Sequence, residues 1–163
     1  MKITVGFLLL ASFCLSGAVK DACSLVTAAE AEAALGEPVS APQPEMRPSP
    51  PGEASACRYR SAQGRGLKGK SVSVSVHYSS TDLTGTMGAM ADNMKTAGYQ
   101  VQKMGGVGDE AIWATRAALG RPTGELTVRK GKSILLVVII NGLPGDAALD
   151  QAKALAAKAL ARA

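Results

Sequence analysis

The side chains able to do chemistry are few and scattered. The only histidine, His77, ends a run in which Ser73 and Ser75 alternate with valines. A serine, an imidazole and an orienting acid held close together would make a small hydrolase. The acids on offer are Asp109 and Glu110, just after Gly105, Gly106 and Gly108. No spacing brings them to the histidine, and a surface histidine is the simpler reading. The glycine segment could itself turn backbone amides toward an anion. No Lys-Ser/Thr pair follows it, so it is not a Walker loop, and it lacks the βαβ context of a dinucleotide fingerprint. It reads as a turn needing positive φ, built on Gly106 and Gly108, with Asp109 and Glu110 orienting the next strand. No catalytic residue is assigned, and no cofactor is expected.

A second constellation is cationic. Arg58, Arg60, Arg65, Lys68 and Lys70 follow one another with no acid between Ala54 and Thr81. Such a set suits an anionic lipid, an anionic envelope polymer or an acidic protein. Nucleic acid is not the expected partner, because the chain reads as secreted and Tyr59, the aromatic within the set, faces away from Arg58 and Arg60 on a strand. The plainer reading is solvated strand ends around a turn. A methionine stripe at Met87, Met90 and Met94 has helical spacing and reads as core.

Three cysteines limit the redox chemistry. Met1 to Ala18 reads as a secretory signal peptide: Lys2, an apolar run from Ile3 to Leu15, then Ser16-Gly17-Ala18 for cleavage. Lys20 and Asp21 end the run short of the about 20 apolar residues that span a bilayer. Cys14 leaves with the signal, unless it carries a lipid; Phe13 before it departs from a lipobox. Residues 19–163 then form one domain with a net charge of +4 and two cysteines, Cys23 and Cys57. In an oxidising compartment an even count reads as one disulfide. Two free thiols or two metal ligands are the alternatives. A zinc site would need two more N or S ligands where only His77 is available, so no metal is expected.

The elements that must position these residues follow from periodicity. Ser24 to Gly36 is a predicted helix with Thr27 and Glu30 as a capping box. Pro38 to Pro51 holds six of the eight prolines and is predicted as an extended surface loop. Cys57 to Ser61 is a short strand. Lys70 to Tyr78 alternates strictly, with Val72, Val74, Val76 and Tyr78 on one face and Ser71, Ser73, Ser75 and His77 on the other. Asp82 to Ala97 is a helix capped by Thr81 or Asp82. Strands follow over 99–104, 111–115, 124–130 and 133–140, the last with both faces covered. Asp146 caps a final, Ala-rich helix to Arg162. The class is α+β: a twisted, mostly antiparallel sheet with helices packed on one face. With 47% hydrophobic and 19% charged residues, disorder and a multispan membrane protein are both excluded.

Asp21-Ala22-Cys23-Ser24-Leu25-Val26-Thr27, Glu30, Leu35-Gly36, Cys57-x-Tyr59 and Gly106-Val107-Gly108-Asp109-Glu110-Ala111 together resemble a class of small secreted bacterial proteins and lipoproteins best known from actinobacterial envelopes. The resemblance covers nearly all of residues 19–163. It implies a pairing of Cys23 with Cys57 and a compact sandwich similar to PsbP-like domains. It implies no enzymatic activity. The expected function is a secreted or periplasmic, non-enzymatic domain that binds an envelope protein or an anionic envelope component. The expected surface is the open polar face of the sheet around Arg58, Arg60, Ser73, Ser75 and His77. The alternatives are the small hydrolase built on His77 with Asp109 or Glu110, and an inhibitor or structural module that inserts the Pro-rich loop.

Overall fold

The Ser/Val alternation of residues 71 to 76 divides the whole molecule into two faces. The structure is a computed structural model that describes residues 20–49, 52–64, 69–118 and 120–163. The expected signal peptide, Cys14, Arg65 and Lys68 lie outside the described residues. The elements are α1 (Ala22–Leu25), α2 (Ala28–Leu35), β1 (Gln43–Ser49), β2 (Gly52–Arg60), β3 (Ser71–Ser79), α3 (Thr86–Thr96), β4 (Gln100–Met104), β5 (Glu110–Ala118), β6 (Arg121–Lys130), β7 (Ile134–Asn141) and α4 (Gly145–Arg162). The strands form one sheet in the order β1-β2-β3-β7-β6-β5-β4. Every neighbouring pair is antiparallel. The chain leaves β3 in the middle, crosses through α3 to the far edge, and returns strand by strand to close β7 against β3. The α+β class and the antiparallel sheet are as expected.

On the closed face, Val72, Val74 and Val76 of β3 join Leu136, Val138 and Ile140 of β7, Leu126 and Val128 of β6 and Tyr59 of β2. α4 covers this surface with Ala148, Ala152, Ala156 and Ala159, small side chains that let a helix lie close on branched ones. Gly124 serves the same packing. A Cβ there would meet Trp113 Cη2 at 2.2 Å, so the indole lies in the space that the missing side chain leaves.

The N-terminal segment is locked onto this face by several bonds. Cys23 and Cys57 form a disulfide, which rules out free thiols and a metal pair. Ala22 N–H donates to Ser55 Oγ at 2.8 Å, and the Tyr59 hydroxyl donates to the Val26 carbonyl. Glu30 binds Arg162 bidentately, at 2.8 Å to each guanidinium nitrogen, and also meets Lys158 at 3.4 Å. Arg162 Nη1 donates to the Leu25 carbonyl as well.

Five expectations need correction. The Pro-rich stretch is not a free loop: residues 43–49 form edge strand β1, paired with β2 from Gln43↔Arg58 to Ser49↔Gly52. An edge is the one place in a sheet where a missing proline N–H can face solvent, and prolines there also discourage pairing with other chains. The Ser24–Gly36 helix is two helices, because Val26 and Thr27 are extended between them; Asp21 caps α1 and the Thr27/Glu30 box caps α2. α3 starts four residues later than expected, with Gly85 rather than Thr81 or Asp82 as its cap. The Asp82 carboxylate binds the Thr84 N–H in the preceding turn instead. α4 begins after Pro144, so Asp146 lies in its first turn, where a negative charge suits the helix dipole.

The helices are also not all on one face. α1, α2 and α4 are, but Met87 and Ala91 of α3 pack on Ile112 and Leu135, on the opposite face. The β7 run is apolar on both sides, which gives α3 its footing. Among the described residues, no helix is long and apolar enough to cross a membrane.

Closing a loop of this length makes the disulfide worth about 3–4 kcal/mol in the chain-entropy model. The paired substitution Cys23→Ser with Cys57→Ser is expected to lower the free energy of unfolding by that amount in denaturant titrations, and an unchanged midpoint would contradict it. The Arg162 guanidinium holds the Glu30 carboxyl far below its ordinary value of 4.5. Its contribution to stability is complete above that value and falls away as acid protonates the folded protein. Glu30→Gln should therefore flatten the loss of stability between about pH 5 and pH 2 measured by urea unfolding.

Candidate functional site

The opposite face is open where α3 does not reach. Its odd-numbered β3 positions carry Ser71, Ser73, Ser75 and His77, all half-buried. Two transverse rows run across it. One aligns Arg58, Ser73, Ile139 and Glu125; the next aligns Arg60, Ser71, Asn141 and Thr123. Arg121 projects from the same face of β6, two residues beyond Thr123. Apart from Glu125 and Thr123, which lie outside it, these residues line a concavity of about 500 Å³ that also takes in Lys70, Gly64 and Gly69. Among the described residues, no carboxylate lines it.

The walls are ordered by hydrogen bonds. Thr123 Oγ1 donates to Asn141 Oδ1 at 2.8 Å, and Asn141 Nδ2 donates to Ser71 Oγ at 3.2 Å. Arg121 Nη2 donates to the Gly69 carbonyl and, at 3.5 Å, to Ser71 Oγ. Ser61 Oγ accepts from the N–H groups of Gln63 and Gly64, both at 3.1 Å. Gly64 and Gly69 approach so closely that a Cβ on Gly69 would stand 2.8 Å from the Gly64 carbonyl oxygen. Arg65 and Lys68, between them in sequence, lie outside the described residues.

The charges are unevenly matched. Lys70 is turned away from the opening, to the Leu35 carbonyl at 2.9 Å and to Glu37 at 3.3 Å. Lys70 and the Ser61 hydroxyl hold the Glu37 carboxyl below its ordinary value, with the hydroxyl the stronger influence. Arg58 and Arg60 are exposed and form no ion pair among the described residues. Glu125 lies across from Ile139 on the same face. Burial pushes its pKa up, while the Thr127 hydroxyl and Arg116 oppose the shift.

The expected surface residues do share one face, but they divide into two groups. Arg58, Arg60 and Ser73 line the concavity; Ser75 and His77 lie further along β3, outside it. Arg121 and Asn141 were not among the expected residues. Register alone brings them to Ser71, from 50 and 70 residues away.

The structure does not bring His77 to the acids of the glycine segment. His77, Leu135, Arg129 and Glu110 occupy one transverse row, so three strand spacings, about 14 Å at the backbone, separate His77 from Glu110. Arg129 takes both acids, with its Nε 3.0 Å from Glu110 and its Nη1 3.6 Å from Asp109. Gly106 and Gly108 have positive φ, and Gly108 is held against Val128 and the Arg129 carbonyl. Asp109 also accepts from Gly131 N–H at 2.6 Å. The segment clamps the start of β5 to the β6–β7 turn.

No protein-family model matches the chain, and no curated protein matches it. Among solved structures it is similar to the extracellular domain of PknH from Mycobacterium tuberculosis. The identity is 13%, over 85% of this chain and 94% of that one, with a TM-score of 0.49.

The neck of the concavity depends on two absent side chains. Gly69→Ala must push backbone against backbone there, and is expected to cost about 1–3 kcal/mol in thermal or denaturant unfolding. Gly131→Ala would be the wrong control, since its φ is positive; Gly88→Ala, in open space within α3, should cost nothing.

Proposed function

We propose that the protein is a non-enzymatic domain acting outside the cytoplasm, and that it binds an anionic component of the cell envelope through the cationic concavity. The observation that carries this reading is the pair Arg58 and Arg60, exposed beside Arg121 at a concavity with no carboxylate among the described residues of its lining. Cationic walls in a recess focus the field and draw anions toward it. The disulfide supports an oxidising compartment. The sequence reading of a secretory signal supports the same location. The separation of His77 from Asp109 and Glu110, and the engagement of both acids by Arg129, argue against the hydrolase alternative.

The test is co-sedimentation of purified protein with an envelope fraction at low ionic strength, where screening is weakest. Arg58→Glu with Arg60→Glu is expected to reduce association at least about tenfold, as is added salt on the wild type. Both positions are exposed, so the fold should survive, as circular dichroism would verify. Association that is unchanged by the double reversal would refute the reading.

A further inference from the structure

The hydrogen bonds in the concavity have a polarity that narrows the ligand. Thr123 donates to Asn141, which donates to Ser71. Arg121 donates to the same Ser71 oxygen. Both lone pairs of the Ser71 hydroxyl are therefore taken, and its proton is free to be donated. The hydroxyl donates no hydrogen bond among the described residues. Arg121 Nε is a second donor without a partner, buried beside the first. The guanidinium groups of Arg58 and Arg60 can only donate. The recess thus presents positive charge and unpartnered donors, and no carboxylate among the described residues of its lining.

A group that only accepts, and that carries more than one negative charge, answers this arrangement best. A carboxylate has two oxygens and one charge. A phosphoryl group has three or four oxygens, carries up to about two charges at neutral pH, and is met by arginine forks in bidentate fashion. The recess is also larger than one phosphate needs. At about 500 Å³ it falls within the size of small-molecule sites, and Ile139 gives it an apolar wall.

Resting on the reading that this concavity is the binding surface, we infer that it recognises a phosphate ester. The phosphoryl oxygens accept from the Ser71 hydroxyl, Arg121 and Arg60, and the organic body lies toward Ile139 and Arg58. Glycerol phosphate is the simplest compound with this chemistry, and the same group occurs in anionic phospholipid headgroups.

The probes are glycerol 3-phosphate, inorganic phosphate, sulfate and acetate, titrated calorimetrically into the whole secreted domain at constant ionic strength. Glycerol 3-phosphate should bind most tightly, and Ser71→Ala should weaken it about tenfold, the equivalent of one charged hydrogen bond. The melting temperature of Ser71→Ala confirms that the variant is folded. Arg60→Gln should weaken binding comparably, and it provides an exposed site at which misfolding is not a concern. A parallel arm uses vesicles of phosphatidylglycerol against phosphatidylcholine. Phosphatidylglycerol binding that Ser71→Ala weakens identifies the lipid headgroup as a source, while glycerol 3-phosphate binding without vesicle binding identifies a soluble ester. Equal affinity for acetate and glycerol 3-phosphate overturns the inference, as does indifference of every binding event to Ser71→Ala. If Arg58→Glu with Arg60→Glu abolishes envelope association but glycerol 3-phosphate does not compete for it, the phosphate inference fails and the functional reading stands. If the double reversal leaves association intact, it is the functional reading that fails.

Discussion

Everything in this molecule follows from the segregation of side chains across β3. Valines at 72, 74 and 76 are fully buried, and the serines between them are not. Removing branched apolar side chains from water drives the packing of α4, α1 and α2 onto one face, at about 25 cal/mol per Å² of apolar area. The serine face gains nothing comparable from a helix. A cover there would bury hydroxyls that water already satisfies. α3 packs on that face where Ile112 and Leu135 give it apolar footing. The recess at Arg58, Arg60 and Ser71 is therefore left open by the same alternation that builds the core behind it.

The closed face must be rigid for the open one to hold a shape. Its weakest part by composition is the N-terminal segment, two short helices with little apolar area of their own. Covalent and polar bonds compensate. The disulfide joins α1 to β2, Tyr59 reaches the Val26 carbonyl, and the Glu30–Arg162 pair ties α2 to the last turn of α4. Cys57 and Tyr59 face inward on β2, so Arg58 and Arg60 must face outward on the same strand. The staple and the cationic pair are adjacent residues with opposite tasks. A strand with its inward side chains covalently and hydrogen-bond anchored holds its outward side chains in register.

Much of this was legible in the sequence, and the misses share a cause. Period-two alternation located β3, and the capping box located the start of α2. The even cysteine count anticipated the disulfide. What local patterns miss is the position of an element within the sheet. Pro44 and Pro48 forbid a central strand, yet residues 43–49 form an outermost one, where half the backbone donors need no partner. The apolar run of β7 signalled coverage on both faces but not which helix would provide it. Arg121 lies far in sequence from Arg58 and Arg60, preceding a proline, with nothing local to connect them. Only the β3–β7–β6 register sets it beside Ser71. The Asp109–Glu110 pair shows the converse: two acids that looked available for proton chemistry are held by Arg129, whose place beside them is again a matter of register.

The distribution of ion pairs gives the open face its character. Along the rest of the surface, cations commonly find carboxylates: Arg162 and Lys158 share Glu30, Arg129 takes Asp109 and Glu110, Lys132 meets Asp82 and Lys95 meets Asp92. Even Lys70, at the rim of the recess, is turned outward to Glu37. Arg116, with no ion pair among the described residues, lies over the Tyr99 ring, 4.4 Å from its centroid. Exposed pairs of this kind contribute little to stability, so their absence at Arg58 and Arg60 costs the fold little. It changes the field instead. With no acid in the chain between Ala54 and Thr81, β2's outer end, its following turn and β3 cannot neutralise one another locally. Arg58 and Arg60 leave one strand on the same side, about 7 Å apart at the backbone, on the face that also carries the Ser71 hydroxyl. Scattered lysines would give a soluble surface. Arginines gathered at a recess give the arrangement on which the proposed preference for an oxyanion rests.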